Sequence, residues 1–199
     1  MVRAIVFDIG NVLLRFDFTL AINRVSAECE LSPEQIPSVL EPLKVELESG
    51  RLAGDVFLKR MSEAIGFSGE LGDLRAAWQE IFSPIDATHR LVEQWKGKLP
   101  LYLLSNTNDI HAEYFLREYP VFTSFDGAVF SHEAGVMKPD NEIYTHAVEK
   151  FELKPESTLF IDDLLPNIEA AARLGWLVHH YAERDHHDLI AKARSLNLL

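Results

Sequence analysis

Five short apolar runs that alternate with helical segments constrain the fold of this chain more than any other feature of its sequence. The runs read AIVFD from position 4, LYLLSN from 101, GAVFS from 127, TLFIDD from 158 and WLVHHY from 176. They are apolar at successive positions and end in polar residues, which is typical of parallel strands buried on both faces. Helical patterns follow three of them, in HAEYFLREY, NEIYTHAVEKF and NIEAAARLG, the last closed by Gly175. The chain is therefore predicted to be an α/β protein with a parallel sheet sandwiched by helices.

The segment 17–84 has a different character, because it contains no convincing strand and several amphipathic helical stretches. LSPEQIPSVL carries the signature of a capping box, with Ser32 as the cap, Pro33 at the first helical position and Gln35 three residues after the cap. GDVFLKRMSEAIG and LGDLRAAWQEIF have apolar residues at helical spacing. An insertion longer than most loops is typical of a lid or specificity element. We predict a helical cap domain at 17–84, inserted into a core domain formed by 1–16 and 85–199.

Charge and cysteine content narrow the classes of partner. The 199 residues carry 31 acidic and 19 basic side chains, a formal net charge of -12, so we expect no nucleic-acid partner and no binding to an anionic membrane. The single cysteine, Cys29, cannot form an internal disulfide and fits a reducing cytoplasm. No apolar run reaches the length of a membrane span and the start has no signal-peptide pattern, so a cytoplasmic protein is expected.

Side chains that carry chemistry collect where the predicted strands end. In an open parallel sheet, ligands bind at the carboxyl ends of the strands. The residues at these ends, or in the loops that follow, are Asp8, Ser105, Asn106, Lys138, Asp162 and Asp163. Carboxylates brought together in this way repel one another and are costly to bury unless a cation lies among them. Because their oxygen atoms are the ligands that Mg²⁺ prefers, the sequence predicts a magnesium site.

Four short motifs occur in the order FDIGNVL, LLSN, GVMKPD and FIDDLLPN, which strongly resembles the motif order of the haloacid dehalogenase superfamily. The resemblance covers nearly the whole chain and implies a Rossmann-like core with a helical cap in the first insertion position. Within the superfamily, FDIGNVL, LLSNTN and GVMKPD are most similar to bacterial sugar-phosphate phosphatases of the α-glucose-1-phosphate type. They are similar, though less closely, to the phosphatase domain of soluble epoxide hydrolase.

The resemblance implies roles for individual residues. Asp8 matches the nucleophile, a carboxylate that attacks phosphorus without an activating base and forms an aspartyl-phosphate. Lys138 matches the cation that offsets phosphoryl charge, and Ser105 matches the hydroxyl that hydrogen-bonds a phosphoryl oxygen. Asn106 is expected to add its backbone N–H. Asp163 matches the metal-binding acid of the fourth motif, and the other residues expected to bind or support the metal are Asp8, Gly10 through its carbonyl, Asp162 and Asn167.

Gly10 departs from the pattern of the superfamily. Most of its phosphatases have a second aspartate at this position, which protonates the leaving oxygen and helps to activate water. Glycine keeps the backbone carbonyl as a metal ligand but lacks the acid, whose help is typically worth about 10²–10⁴-fold in rate. Two explanations stay open. A weakly basic leaving group, such as an anomeric sugar oxygen, needs less protonation; alternatively Asp17, where the cap begins, supplies the acid.

Aromatic and histidine residues in and near the cap have two interpretations. Phe57, Trp78 and Phe82 are interpreted as cap core, whereas Phe16 and Phe18 are candidates to line the cleft and stack on a sugar. His111 follows the Ser105 loop closely and either approaches the substrate or lies on a helix surface.

The combined prediction is a Mg²⁺-dependent phosphomonoesterase that acts on a small phosphorylated metabolite such as a sugar phosphate. One alternative is a 2-haloacid dehalogenase, which uses the same aspartate to attack carbon and needs no metal. The acidic pair Asp162 and Asp163 favours the phosphatase, since such dehalogenases do without it. Another alternative is a catalytically idle binding protein that has lost its acid at position 10. The sequence leaves open whether the protein is a monomer or a homodimer.

Overall fold

The structure, a computed structural model, describes all 199 residues. Its strands are β1 (Ala4–Phe7), β2 (Leu14–Phe16), β3 (Phe82–Pro84), β4 (Leu101–Ser105), β5 (Gly127–Phe130), β6 (Thr158–Asp162) and β7 (Leu177–His180). Its helices are α1 (Phe18–Val25), α2 (Ile36–Glu48), α3 (Gly54–Ile65), α4 (Leu71–Gln79), α5 (Asp86–Trp95), α6 (Asp109–Glu118), α7 (Ser131–Ala134), α8 (Asn141–Phe151), α9 (Leu165–Arg173) and α10 (His186–Ser195). Short 3₁₀ turns lie at Ser26–Glu28, Pro120–Ser124, Pro155–Ser157 and Glu183–Asp185.

The five apolar runs form one parallel sheet, whose strand order is β5-β4-β1-β6-β7. Within this sheet the chain moves from β1 outward to β4 and β5, and then returns to the other side of β1 to form β6 and β7. The strand order therefore reverses at β1, and its carboxyl end is the switch point where open α/β sheets bind ligands. The predicted fold class, a parallel sheet between layers of helices, is confirmed.

Alternation of side chains along β1 explains why the sheet is covered on both faces. Ile5 and Phe7 lie in a buried cluster with residues of α5, α6 and α10, among them Trp95 and Phe115. Val6, between them in sequence, belongs to a second cluster with residues of α8 and α9. Because successive side chains of a strand point to opposite faces, a run that is apolar at every position requires helices on both sides.

Helices α1 to α4, called the helical unit below, pack around a hydrophobic cluster of their own. Its largest buried side chains include Phe57, Met61 and Trp78, and Ile110 of α6 joins the cluster from the sheet side. Apolar residues at helical spacing place one stripe of each helix in this cluster and leave the other side to solvent.

Two short strands frame the helical unit and were absent from the sequence prediction. β2 and β3 pair in antiparallel fashion, with Phe16 opposite Phe82. The prediction that segment 17–84 contains no strand was wrong at its end, because α4 ends at Gln79 and Phe82–Pro84 is extended. Three residues are too few for a periodic pattern, and the pairing partner lies far away in the chain.

Polar contacts fasten the helical unit to the sheet at two places. At the first, the Ser131 hydroxyl donates to the carbonyl of Glu48 at 2.6 Å, and a Cβ at nearby Gly50 would collide with the carbonyl of His132. At the second, the backbone N–H of Gly54 donates to the carboxylate of Asp109 at 3.0 Å. These contacts fix the ends of α2 and α3 against the edge of the sheet where the strands terminate.

Local signals in the sequence are found in the structure. Gly175 has a positive φ of 86° just after α9, as expected of a residue that closes a helix. The backbone N–H of Ser32 donates to the side chain of Gln35 at 3.0 Å, which is one half of a capping box, although regular helix begins only at Ile36. None of the ten helices combines the length and the apolar composition that a membrane span requires.

Candidate active site

The carboxyl end of β1 places Asp8 beside a lysine ammonium. Asp8 follows β1 directly and is buried. Nζ of Lys138, in the loop between α7 and α8, lies 2.8 Å from Oδ1 of Asp8. The same ammonium donates to Oδ2 of Asp162 at 2.6 Å and to the carbonyl of Leu104 at 2.8 Å. Because an ammonium has three hydrogen atoms, these three acceptors hold it in one position.

Asn106 holds the loop that carries Lys138. Its Nδ2 donates to the carbonyl of Lys138 at 2.9 Å, and its Oδ1 accepts from the backbone N–H of Lys138 at 2.8 Å. This reciprocal pair joins the end of β4 to the lysine loop. The side chain of Asn106 therefore positions Lys138, in addition to the role predicted for its backbone N–H.

Asp162 is occupied by donors from the protein. Its Oδ1 accepts from the N–H of Leu164 at 2.8 Å, and Nδ2 of Asn167 lies 3.0 Å from both carboxylate oxygens. Both Asp162 and Asn167 are buried. Together with the contact to Lys138, these hydrogen bonds satisfy Asp162, so that Asn167 orients Asp162 and Asp162 orients Lys138.

Asp163 has an open side. It is half-buried, and its Oδ2 accepts from Nδ2 of Asn11 at 3.0 Å. Asn11 has a positive φ of 52°, a conformation that asparagine adopts more readily than most residues. The side chain of His180 lies 2.8 Å from the backbone carbonyl of Asp163. These contacts fix the direction of the Asp163 carboxylate without using its second oxygen.

The donor set at this edge of the sheet suits a hard divalent cation. Asp8, Asp162 and Asp163 each offer one carboxylate oxygen, and these atoms lie within 4.8 Å of one another. Asp8 meets Lys138 through Oδ1 and Asp163 meets Asn11 through Oδ2, which leaves the other oxygen of each for a cation. Mg²⁺ takes oxygen ligands at about 2.0–2.1 Å and keeps several waters, so a small contraction would let Asp8 and Asp163 share one ion.

Burial changes the protonation of these groups. It raises the pKa of Asp8 to about 7; the Lys138 ammonium opposes the rise, and the neighbouring carboxylates of Asp162 and Asp163 add to it. Burial also raises the pKa of Asp163. Burial alone would lower the pKa of Lys138, but Asp8 and Asp162 raise it above its ordinary value, so the ammonium stays charged. Three carboxylates around one ammonium leave surplus negative charge that a bound cation would offset.

A cavity of about 150 Å³ begins beside these residues and extends between the sheet and the helical unit. Gly10, Ser105 and Asn106 line its inner end, and Ser105 is buried. Four aromatic rings line the rest of the cavity, together with polar side chains of α2 and α6. The rings are Phe16, Phe18, Phe82 and Phe115, and the polar side chains are Lys44 and Glu48 of α2 and His111 of α6.

His111 is a buried wall residue of this cavity. Its Nε2 lies 3.0 Å from the carbonyl of Trp78, its Nδ1 lies 3.0 Å from Nδ2 of Asn108, and its ring stacks on Trp78 at 5.5 Å between centroids. The carbonyl requires a hydrogen on Nε2, so Nδ1 accepts from the amide. Burial lowers the pKa of His111 to about 4, and the imidazole is neutral at neutral pH. The structure places His111 in the cavity wall and not on an exposed helix surface, and its approach to a substrate stays a prediction.

Phe16 occupies the space beside Gly10. A Cβ at position 10 would lie 2.9 Å from Cε1 of Phe16 and 3.9 Å from Oδ2 of Asp8. The Phe16 ring packs edge-on against Phe18 at 5.6 Å and is 40% exposed. A side chain at position 10 would therefore have to displace an aromatic ring that forms part of the cavity wall.

Asp17 caps helix α1. Its Oδ1 accepts from the N–H of Thr19 at 2.9 Å and from the Thr19 hydroxyl at 2.7 Å. These hydrogen bonds lower the pKa of the exposed Asp17 carboxyl. A general acid needs a proton near the working pH, so this environment opposes the hypothesis that Asp17 replaces the missing acid.

Sequence reasoning missed Asn11, Lys44 and Glu48. Asn11 carries a usable signal, because Gly-Asn directly after a strand indicates a turn in which asparagine adopts a left-handed conformation. Lys44 and Glu48 carry no such signal. They lie one turn apart on an amphipathic helix, and the helical pattern does not indicate which polar residues face a cleft formed with another part of the chain.

One family model and several known proteins match most of this chain. A family model described as haloacid dehalogenase-like hydrolase matches residues 2–175. The chain is 27% identical over 191 residues to the D-ribitol-5-phosphate phosphatase of Bacteroides thetaiotaomicron, covering 88% of this chain and 90% of that protein. It is 25% identical over 189 residues to a sesquiterpene phosphatase of Aspergillus oryzae, covering 91% of this chain and 90% of that protein.

A solved structure has a similar fold over most of the chain. It is a HAD family enzyme from Bacteroides thetaiotaomicron in complex with magnesium and inorganic phosphate, with a TM-score of 0.80 and 26% sequence identity. The match covers 90% of this chain and 93% of that chain. The sheet and the helical unit are therefore both within the matched region.

Proposed function

This chain belongs to the haloacid dehalogenase-like hydrolase family, and we propose that it is a Mg²⁺-dependent phosphatase that hydrolyses monoesters of small phosphorylated metabolites. The position of Lys138 carries the proposal, because its ammonium joins Asp8 to Asp162 at the end of the sheet. A phosphoryl group next to Asp8 would meet a cation that is already held in place. The phosphatase names of two relatives that match over most of their length support this class of reaction.

The residues supply a two-step reaction. A carboxylate oxygen of Asp8 attacks phosphorus while the bond from phosphorus to the leaving oxygen breaks, and the leaving oxygen takes a proton from water to become an alcohol. Water then hydrolyses the aspartyl-phosphate, which releases inorganic phosphate and restores Asp8. In both steps Lys138 offsets charge on the phosphoryl oxygens, while Ser105 and the backbone N–H of Asn106 donate hydrogen bonds to them.

Asp8, Asp163 and the carbonyl of Gly10 are the residues that would hold Mg²⁺. When bound, the ion reduces the negative charge that separates a carboxylate nucleophile from a phosphate ester. Asp162 and Asn167 support Lys138 in this proposal instead of contacting the ion. The solved neighbour that carries magnesium and inorganic phosphate supports the choice of cation.

The helical unit would act as the cap over the active site. In this proposal the cap domain is 17–84 and the core domain comprises 1–16 and 85–199. Helix α2 of the cap contributes polar side chains to the cavity that begins at Ser105, and Phe18 of α1 contributes part of the wall. A cap in this place excludes water from the reacting groups and selects the alcohol portion of the ester.

A metal-depletion assay tests the proposal. The purified protein is assayed with p-nitrophenyl phosphate and with sugar 1-phosphates, sugar 6-phosphates and polyol phosphates, in Mg²⁺ and in EDTA. We expect turnover in Mg²⁺, loss of turnover in EDTA and recovery when excess Mg²⁺ is added. Asp8→Asn, which keeps the size of the side chain and removes the nucleophilic carboxylate, is expected to be inactive. A preference for sugar 1-phosphates would support a weakly basic leaving group as the reason for Gly10.

The same assay addresses the two alternatives. Gly10 favours a metal-independent dehalogenase or an idle binding protein, since both do without an acid at that position. Release of halide from a 2-haloacid in EDTA would identify the dehalogenase. An idle protein would turn over none of the esters and would gain no thermal stability from beryllofluoride with Mg²⁺, whereas a competent site should be stabilised by this phosphoryl mimic.

A further inference from the structure

We propose that Lys44 and Glu48 form the recognition site for the leaving group, and that this leaving group is a small polyhydroxylated alcohol. The inference rests on the proposed phosphatase function and deepens it by naming the residues that select the substrate. Both side chains belong to α2, lie one helical turn apart and line the cavity that begins at Ser105.

The carboxyl oxygens of Glu48 are free to accept hydrogen bonds from a ligand. The backbone carbonyl of Glu48 accepts from the Ser131 hydroxyl, which anchors this end of α2 to the sheet domain. Its carboxyl group makes no hydrogen bond, and burial raises its pKa. A partly buried carboxyl group without a partner costs free energy unless a ligand supplies donors. The hydroxyl groups of a bound alcohol would supply them.

Lys44 provides the complementary donor. Its ammonium lies 4.4 Å from the centre of the Phe18 ring and 3.2 Å from a carboxylate oxygen of Glu41. The cation–π contact holds the ammonium above the aromatic wall of the cavity. His111, another polar side chain of this wall, has both ring nitrogens engaged by Trp78 and Asn108. Glu41 uses only part of the donor capacity of the Lys44 ammonium. Lys44 and Glu48 are therefore the polar side chains of α2 in this wall that can bind adjacent hydroxyl groups.

The size of the cavity and the residues of its wall limit which alcohols can be the leaving group. A cavity of about 150 Å³ accommodates a group of roughly the size of a benzene ring. The rings of Phe16, Phe18 and Phe82 offer flat apolar surfaces for the C–H face of a sugar or polyol. A long terpenyl chain would exceed this space and would leave the carboxyl group of Glu48 without a hydrogen-bond partner. The arrangement thus favours a sugar or polyol over an extended apolar alcohol.

Matched variants test the assignment with three esters. The variants are Glu48→Gln and Lys44→Met, and the controls are Glu46→Gln, which lies on the same helix and pairs with Arg60, and Lys59→Met on the exposed side of α3. The esters are a polyol phosphate, the phosphate of a straight-chain alcohol with the same number of carbons, and p-nitrophenyl phosphate. We expect each cavity variant to lower kcat/KM for the polyol ester by about 10- to 100-fold, mainly through KM, because a hydrogen bond to a charged group is lost. The other two esters should change by less than about 3-fold, as should all esters in the controls.

Each contrary result has its own meaning. An equal loss for all three esters would overturn the assignment and indicate that the variants disturb α2 itself. A loss confined to kcat, with KM unchanged, would also overturn it, since that result places Glu48 in proton transfer. If the wild-type protein hydrolyses p-nitrophenyl phosphate but does not prefer the polyol ester to the alkyl ester, the recognition site is rejected while the phosphatase function stands. If it hydrolyses none of the three, the proposed function fails and this inference fails with it.

Discussion

Nζ of Lys138 lies 2.8 Å from Oδ1 of Asp8, in a site where the side chains are 1% and 10% exposed. A buried ion pair of this kind is a weak source of stability, because removing both charges from water offsets much of their attraction. The position of the pair is informative instead. The ammonium faces the carboxylate at the end of the central strand, where it would offset charge on any anion that approaches Asp8.

Lys138→Met is expected to abolish most activity and to destabilise the protein. The substitution leaves Asp8 and Asp162 facing each other without a cation, which costs about 3–5 kcal/mol when one partner of a buried pair is removed. We expect kcat/KM to fall by about 10²–10³-fold, as for the loss of a preorganised charge. Urea denaturation and steady-state kinetics measure the two effects, with Lys154→Met on the surface as the control. Wild-type turnover in Lys138→Met would remove this residue from the mechanism.

Asp163→Asn and Asp162→Asn should affect Mg²⁺ binding to different extents. Asp163 keeps one oxygen free of Asn11, whereas both oxygens of Asp162 accept hydrogen bonds from the protein. We expect Asp163→Asn to weaken the binding of Mg²⁺ by more than about 100-fold and Asp162→Asn to weaken it by about 10-fold or less. Isothermal titration with Mg²⁺ gives both affinities. The reverse order would mean that Asp162 is the direct ligand.

Asp17→Asn is expected to keep turnover within about 2-fold of the wild type, since a carboxyl group with a lowered pKa is a poor proton donor. The asparagine oxygen can still accept from the N–H of Thr19, so the helix cap is retained. Steady-state kinetics with an alkyl phosphate, which depends most on protonation of the leaving oxygen, is the measurement. A large fall in kcat for this ester, with little change for p-nitrophenyl phosphate, would restore Asp17 as the acid.

Gly10→Asp is expected to raise kcat for alkyl phosphates, by about 10-fold or more, because it introduces a general acid beside Asp8. The new Cβ would meet the Phe16 ring at 2.9 Å, and this ring is exposed enough to turn away. Gly10→Ala is the control, since it displaces the ring without adding an acid. Equal kcat values in the two variants would show that an acid at this position does not reach the leaving oxygen.

Because of His111, the free energy of unfolding is expected to decrease as the pH falls from about 6.5 to 4. The pKa of His111 is lowered from 6.5 to about 4 in the folded protein, so below pH 6.5 the unfolded chain binds a proton that the folded chain does not. The contribution of the neutral His111 to the free energy of unfolding is fully present above pH 6.5. About 3 kcal/mol of this free energy is lost by pH 4. Asp8 has the opposite slope, because its pKa is raised. The free energy of unfolding of His111→Gln, compared with wild type across this range, isolates the effect.

The control for this experiment is His146→Gln, a substitution of an exposed histidine on α8. It measures how the loss of a surface imidazole by itself affects the free energy of unfolding. Parallel curves for wild type and His111→Gln would mean that His111 is protonated as easily in the folded protein as in the unfolded chain.

The sheet, its flanking helices and the collection of Asp8, Lys138 and Asp163 at one edge were readable from the order of residues. Apolar runs of four or five residues that end in polar side chains indicate buried parallel strands, and parallel strands bring their carboxyl ends to one edge whatever their order. The departure at Gly10 was likewise visible without coordinates. The short strand at Phe82 was not, because its partner Phe16 is distant in the chain.

The different roles of neighbouring residues in the site depend on the tertiary structure. The adjacent aspartates Asp162 and Asp163 are equivalent in the sequence. In the folded protein, Asp162 accepts hydrogen bonds from Lys138 and Asn167 and holds Lys138 in place, whereas Asp163 keeps one carboxylate oxygen without a protein donor. The same holds for Lys44 and Glu48, whose direction depends on how α2 docks on Ser131. Local sequence determines which backbone forms a strand or a helix, because those interactions span a few residues. Which side chains meet across the cleft depends on contacts between segments far apart in the chain, and these exist only once the chain has folded.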